Sequence, residues 1–179
     1  MTLMSAQTVL DNVQHDGLYL ALALVAALVL LAVLRGVRAP ERSERVKVKR
    51  QIAAIPVRLG ANGALEVLLV TTRGSGRWTV PKGRPMRGLS DSGAAAREAL
   101  EEAGVTGRVH PEPIGSFEYT KRNAAGQRLQ VTLYRLDVER EVNRFRERGQ
   151  RERRWLTTRE AAASVTWPGL ATAIRGLAE

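Results

Sequence analysis

The sequence predicts a mixed sandwich of strands and helices, of α/β or α+β class, preceded by one transmembrane helix. Apolar runs with the pattern of β-strands lie before and after a central helix that carries three glutamates, and a further helix closes the chain. Strands and helices that bury their apolar sides together form layered domains of this kind. A long apolar run near the N-terminus lies outside this pattern and predicts the transmembrane helix.

The apolar run occupies residues 18–34 and would form a helix about 26 Å long, near the lower limit for crossing a bilayer. No basic residue precedes it, whereas a cleaved signal peptide usually begins with one. A signal sequence, a buried core helix and a mistaken upstream start codon remain alternatives. Seven basic residues follow within 35–50, and the positive-inside rule then places the rest of the chain in the cytoplasm.

The predicted organisation is therefore that of a single-pass membrane protein with four parts. They are a short N-terminal arm (1–16), the transmembrane helix (17–35), a basic juxtamembrane linker (36–50) and one domain (51–179).

Two apolar, β-branched runs at residues 51–59 and 66–72 begin the domain, and Asn62-Gly63 between them is a hairpin turn signal. Pro56 has no N–H to donate, so we expect the first strand to lie at a sheet edge or to carry a bulge. Further strands are predicted at residues 78–80, 113–120, 130–138 and 155–157.

Three helices are predicted in the domain. The central helix extends from residue 94 to 104, with Ser90, Asp91 or Ser92 as its cap and Gly104 at its end. Thr157 or Thr158 caps a second helix, and the closing helix follows Trp167-Pro168 over residues 169–177.

Composition excludes several kinds of chemistry. The chain has no Cys, which excludes a disulfide framework, a thiol nucleophile and Cys-ligated zinc. A catalytic triad that contains histidine is not expected, because the chain has only two histidines, His15 and His110. A general base should therefore be a carboxylate or a metal-bound water. The net charge of +10 suits an anionic substrate, an anionic lipid surface or nucleic acid.

Three carboxylates share one face of the central helix. At about 100° per residue, Glu98, Glu101 and Glu102 fall within roughly 100° of arc, and like charges at these spacings repel each other. A hard divalent cation such as Mg²⁺ or Mn²⁺ would remove that repulsion because it takes oxygen ligands. The alternative is a solvated acidic face in which Arg97 pairs with Glu101 four residues on.

The loop before this helix makes the pattern specific. Trp78-Thr79-Val80 ends a strand, Pro81-Lys82-Gly83 turns the chain, and Gly83 stands fourteen places before the run REALEEAGV at residues 97–105. In spacing and in every residue but one, this stretch resembles the Nudix box. The exception is Leu89, which stands where the family has its first Glu, and Asp91 is a candidate substitute for it.

The resemblance implies a Nudix α/β/α sandwich over residues 51–179. It implies that Glu98, Glu101 and Glu102, with the Gly83 carbonyl, hold Mg²⁺ or Mn²⁺ against a diphosphate, and that Arg97 orients these carboxylates. The sub-pattern PKGxPM at residues 81–86 is similar to a bacterial subgroup related to diphosphoinositol polyphosphate hydrolases. Candidates for binding substrate phosphates are Lys82, Arg84 and Arg87, each of which could equally be a surface charge.

Two basic stretches leave alternatives open. The loop at 73–77 could contact phosphates through its amides and arginines, or be a plain turn. Residues 140–154 hold seven Arg and three Glu, which indicates a solvated loop or a set of Arg forks for polyphosphate. Phe117, Tyr119 and Tyr134 are interpreted as core residues rather than a base-stacking platform, and Glu118 as a solvent-facing residue or a further carboxylate of the site.

The expected activity is metal-dependent hydrolysis of a diphosphate linkage in a highly phosphorylated small molecule, of diphosphoinositol polyphosphate or dinucleoside polyphosphate type. One alternative is the same chemistry on nucleoside diphosphate derivatives such as ADP-ribose, or on nucleoside triphosphates. The other is a non-catalytic, membrane-tethered module that binds anions, lipid or RNA through a degenerate box. Nucleic acid is not the expected partner; the membrane is, through the N-terminal helix.

Overall fold

The computed structural model describes residues 23–31, 33, 48–121 and 126–178. The chain divides into two units, Met1–Arg45 and Val46–Glu179. The described part of the second unit contains strands β1 (Lys49–Leu59), β2 (Leu65–Thr71), β3 (Trp78–Thr79), β4 (Lys82–Gly83), β5 (Val105–Thr120), β6 (Arg128–Glu141) and β7 (Arg153–Thr157). Its α-helices are α1 (Asp91–Glu98), α2 (Thr158–Ser164) and α3 (Pro168–Arg175).

One mixed sheet organises this unit, with the strand order β3-β2-β1-β6-β5. Strand β1 runs parallel to β6 and antiparallel to β2 and to the short β4, while β7 pairs with β2. Residues 52–57 of β1 are buried without interruption, as expected of a strand that is covered on both faces.

The expectation that Pro56 marks an edge strand is wrong, because β1 lies in the middle of the sheet. On one side β1 pairs with β4 at Ile52 and Ala53 and with β2 from Val57 onward. Pro56 lies between these two pairings, where no ladder hydrogen bond is required of it. A central strand can therefore hold this proline.

The sheet has a hydrophobic core on each face. Alternate residues of β1, including Ala53 and Ile55, pack with α2 and α3 on one face. The residues between them, including Ile52 and Ala54, pack with the alanines of α1 on the other face. The mixed α/β fold with flanking helices is thus as predicted.

The central helix begins where the sequence indicates, since Ser90 caps it by accepting a hydrogen bond from the Gly93 amide at 3.0 Å. It continues past α1 into a π-helical turn, Ala99–Ala103, and ends at Gly104 with φ of 67°. A side chain there would be strained and would also meet the Phe145 ring. We call residues 91–103 the carboxylate helix.

The prediction of a single-pass membrane protein with a cytoplasmic catalytic domain is wrong, and the membrane as a partner is not supported. In the first unit the described helical residues are 23–31 and 33. Within the described residues, no helix has both the 18-residue length and the apolarity needed to cross a membrane. The rest of the expected span, the arm at 1–16 and most of the linker lie outside the described residues. The four-part division itself stays a prediction.

Candidate active site

The main chain at Gly83 lies directly against the side chain of Glu98. Strand β4 places Gly83 opposite Ile52 of β1, and the carboxylate helix places Glu98 directly against the Gly83 backbone. A methyl group at position 83 would overlap the Glu98 carboxylate. Any larger residue here would therefore displace the Glu98 carboxylate from the main chain.

Glu98 is the carboxylate whose protonation is most perturbed. Its pKa is raised to about 7, first by burial and then by the nearby charges of Glu102, Glu101 and Glu147. Among the described residues, no side chain forms a hydrogen bond or an ion pair with it. Glu98 thus remains available to a cation, a water molecule or a proton.

Glu102 is buried, with 5% of its surface exposed. The Lys82 amide donates a hydrogen bond to its Oε2 at 3.1 Å, and the Arg151 guanidinium pairs with its Oε1. Burial raises the pKa of Glu102, although Arg151 and the Lys82 amide oppose that shift. The turn at Pro81-Lys82-Gly83 therefore binds the helix through its backbone.

Glu101 has a different environment from its two neighbours. Arg97 Nε donates to it at 2.6 Å and Arg146 Nη1 at 2.7 Å. These two hydrogen bonds hold the pKa of Glu101 below its usual range. The pairing of Arg97 with Glu101, which the sequence left as an alternative, is present.

A segment of the Arg-rich stretch packs along this helix. We call residues 142–152 the clasp. The Val142 amide donates to the Gly104 carbonyl at 2.7 Å, and the Glu147 amide donates to the Glu101 carbonyl at 3.0 Å. Phe145 contacts Gly104 in the same region. Reading this stretch as a solvated loop is therefore wrong for the residues that face the helix.

Arg151 is the buried centre of the clasp, with 6% of its side chain exposed. Its Nε donates to Glu147 at 2.7 Å, its Nη1 donates to the Thr71 carbonyl at 2.7 Å, and its Nη2 pairs with Glu102. It links the clasp, β2 and the carboxylate helix. Sequence reasoning missed Arg151 and Glu147. The one local signal was their spacing of four residues, which the eight other charged residues of the stretch 140–154 obscured.

A cavity of about 740 Å³ opens beside these groups. Lys82, Glu102 and Arg151 line it on the side of the carboxylate helix. Burial lowers the pKa of Lys82, and nearby Arg151 and Lys121 add to this against the opposing charge of Glu102. Of the predicted phosphate-binding residues, Lys82 lies at the cavity, whereas Arg84 and Arg87 are exposed and do not line it.

Leu89 and Asp91 lie apart from the carboxylates. Leu89 is 50% exposed and lines a smaller cavity of about 350 Å³ together with Arg97. Asp91 pairs with Arg50 of β1 at 2.5 Å, which fixes the start of the helix to the sheet. Asp91 is therefore positioned to brace the helix and is engaged by Arg50 rather than by Arg97.

The carboxylate oxygens here are of the kind that hard divalent cations bind, since Glu101, Glu102 and Glu147 lie near Glu98 and raise its pKa. As arranged, however, no three acidic or histidine side chains among the described residues form a group that could hold an ion. Glu101 and Glu102 are directed to arginines instead. A bound cation would have to compete with these arginine contacts.

Fold and site together define a mixed α/β domain with a glutamate-bearing helix beside a cation-lined cavity. Residues 49–176 match the family model described as the NUDIX domain, which is well over half of the chain. The chain therefore belongs to the Nudix family, as the box at residues 83–105 predicted.

Two curated relatives are Nudix hydrolases of Arabidopsis thaliana. "Nudix hydrolase 12, mitochondrial" is 35% identical over 102 residues, which cover 54% of this chain and 50% of the relative. "Nudix hydrolase 13, mitochondrial" is 32% identical over 104 residues, which cover 54% and 52%. The chain thus spans about half the length of these relatives.

Among solved structures, the C. elegans Ap4A hydrolase binary complex matches with a TM-score of 0.56 and 22% identity. The match covers 73% of this chain and 95% of that one. At this identity the similarity establishes the fold.

Proposed function

We propose that this protein is a metal-dependent hydrolase of diphosphate linkages in highly phosphorylated small molecules, of diphosphoinositol polyphosphate or dinucleoside polyphosphate type. The observation that carries the proposal is buried Glu102, which lines a cavity rich in cations, with Glu98 four residues earlier on the same helix and against Gly83. The names of the curated relatives support the hydrolase class. The finer resemblance to diphosphoinositol polyphosphate hydrolases stays a prediction.

Four carboxylates would hold the metal that Nudix hydrolases generally use, and three of them would first have to give up arginine contacts. Glu98, Glu101 and Glu102 were expected from the box, and the clasp adds Glu147, whose charge already affects Glu98 and Glu102. The Gly83 carbonyl completes the proposed set. When bound, Mg²⁺ or Mn²⁺ would neutralise charge on the phosphate oxygens and favour ionisation of water.

The protein's own groups have separate roles in this proposal. A carboxylate of this set accepts the proton that the attacking water loses, and Glu98 is the candidate because no side chain among the described residues pairs with it. The water oxygen bonds to phosphorus while the bond to the bridging oxygen breaks, so both products leave as phosphates. Arg97 and Arg146 hold Glu101, Arg151 holds Glu102 and Glu147, and Lys82 supplies positive charge at the cavity.

The test is turnover on a panel of inositol pyrophosphate, diadenosine polyphosphate, ADP-ribose and nucleoside triphosphates, with Mg²⁺, Mn²⁺ or chelator. Glu98→Gln and Glu102→Gln should each lower turnover by at least about a hundredfold, because each removes a proposed metal ligand. Glu112→Gln, an exposed carboxylate on β5, is the matched control and should be unaffected. If the folded protein hydrolyses none of these compounds in the presence of metal, the proposal is contradicted.

A further inference from the structure

A second, smaller cavity lies between the carboxylate helix and strands β5 and β6. Its volume is about 350 Å³, at the lower end of the range for small-molecule sites. Most of its lining is apolar and includes Leu89, Leu100 and Leu136. Leu136 is fully buried and Leu89 is 50% exposed, so this apolar lining extends from the core to the surface. Among the described residues, none lines both this cavity and the cation-lined one.

Arg97 is the only charged residue among the described residues that line the cavity, and Thr106 adds a hydroxyl. Arg97 Nε donates to Glu101 at 2.6 Å, while its two terminal nitrogens bond to no other described residue. These nitrogens form the fork that binds a carboxylate with two parallel hydrogen bonds. The Arg97 side chain is 57% exposed, so an anion can reach it. A cation with unused donors therefore adjoins open apolar surface.

Position 89 changes the charge balance beside Arg97. The box has a glutamate at this position, whereas this chain has a leucine. Within the described part of the chain, Glu101 is the one carboxylate that pairs with Arg97. Leu89 thus removes a negative charge that would repel an anionic ligand, and it offers the ligand apolar surface instead.

We propose that this cavity binds a small amphipathic carboxylate, an alkyl body with one acidic group. Its carboxylate pairs with the terminal nitrogens of Arg97, and its alkyl body packs against the leucines of the lining. One cation matches the single charge of a carboxylate, whereas a phosphate monoester carries close to two charges. Arg97 then holds Glu101 through Nε and the ligand through its other nitrogens, so one guanidinium connects the two sites. The binding does not depend on the proposed hydrolysis.

Octanoate is the probe, titrated into the full chain in chelator and followed by NMR chemical shifts. It should bind at least about tenfold more tightly than octylamine, which has the same alkyl body and the opposite charge. Hexanoate should bind about fifteenfold more weakly than octanoate, since each of two lost methylenes costs about fourfold in affinity.

Leu89→Glu places a negative charge beside Arg97 and should weaken octanoate binding by at least about tenfold. Leu59→Glu is the matched control, because Leu59 is 74% exposed and lies outside the cavity, and it should bind octanoate as the parent does. Arg97→Gln should weaken octanoate binding by about tenfold and leave octylamine binding unchanged. Circular dichroism checks that each variant is folded.

Several results would overturn the inference. Equal binding of octylamine and octanoate, or equal weakening by Leu89→Glu and Leu59→Glu, would show that the chain takes up alkyl groups elsewhere, for example on the exposed apolar residues of the first unit. Failure of the folded parent protein to bind octanoate saturably would also refute it. If Leu89→Glu instead converts an oligomer to a monomer in sedimentation, a second copy of the chain occupies the cavity and the proposed ligand does not.

Discussion

Replacing Arg151 by glutamine should destabilise the metal-free domain by about 3–5 kcal/mol, because it leaves buried carboxylates without their cation. Arg151 joins Glu102, Glu147 and the Thr71 carbonyl, and its side chain is 6% exposed. The side chains of Glu102 and Glu147 are 6% and 13% exposed, so water could restore little of the loss. For a domain of this size the melting temperature should fall by on the order of 10 °C or more.

The assay is urea and thermal unfolding in chelator, followed by circular dichroism. Arg146→Gln is the matched control, since Arg146 pairs with Glu101 but is 75% exposed, and its loss should cost less than about 1 kcal/mol. Adding Glu102→Gln to Arg151→Gln should recover part of the stability by removing one unpaired charge. Mg²⁺ should also recover part of it if the same carboxylates bind the metal.

Equal effects of Arg151→Gln and Arg146→Gln would refute this reasoning, because burial would then make no difference to the ion pair. A double variant that is no more stable than Arg151→Gln alone would show that the Glu102 charge is not the source of the cost.

Two further predictions concern Glu98 and Gly83. The folded-state pKa of Glu98, about 7, lies above its ordinary value of 4.5, so between these values the folded state binds more protons than the unfolded state. In chelator, the free energy of unfolding should therefore fall as pH rises from about 4.5 through 7, by about 1–2 kcal/mol after allowance for solvent screening. Thermal melts recorded across this pH range should show the decline in the parent protein and not in Glu98→Gln. Gly83→Ala should displace Glu98 and lower turnover by about a hundredfold, whereas Gly176→Ala, with open space around it, should retain activity. A pH profile that Glu98→Gln leaves unchanged, or full activity in Gly83→Ala, would count against the placement of Glu98.

The local features of the site could be read from the chain because they depend on neighbouring residues. Ser90 caps the carboxylate helix and Gly104 ends it, as their positions around an alanine-rich run indicated. Glu98, Glu101 and Glu102 lie on one helix as predicted, but the π-helical turn at Ala99–Ala103 departs from the α-helical periodicity that placed them on one face. The turn at Gly83 likewise follows from residues that lie next to one another.

Contacts between distant segments could not be derived in this way. Pro56 suggested an edge strand, but β1 lies in the middle of the sheet. It can hold this proline because β4 and β2, which pair with the same side of β1, leave a gap at Pro56. The apolar run at residues 18–34 suggested a membrane span, but the described residues contain no helix able to form one. A single proline indicates a tendency, whereas the pairing of strands depends on the whole fold.

The family, the carboxylate helix and the positive charge of the domain could all be inferred from residue types and short spacings along the chain. Which of these charges act together depends on the folded structure. Arg151 lies 49 residues from Glu102, and Lys121 lies 44 residues from Arg77, yet the fold brings each pair to one cavity. The interaction of two charges depends on the distance between them and on their burial. Neither quantity can be read from residue numbers, because both are set only when the sheet forms.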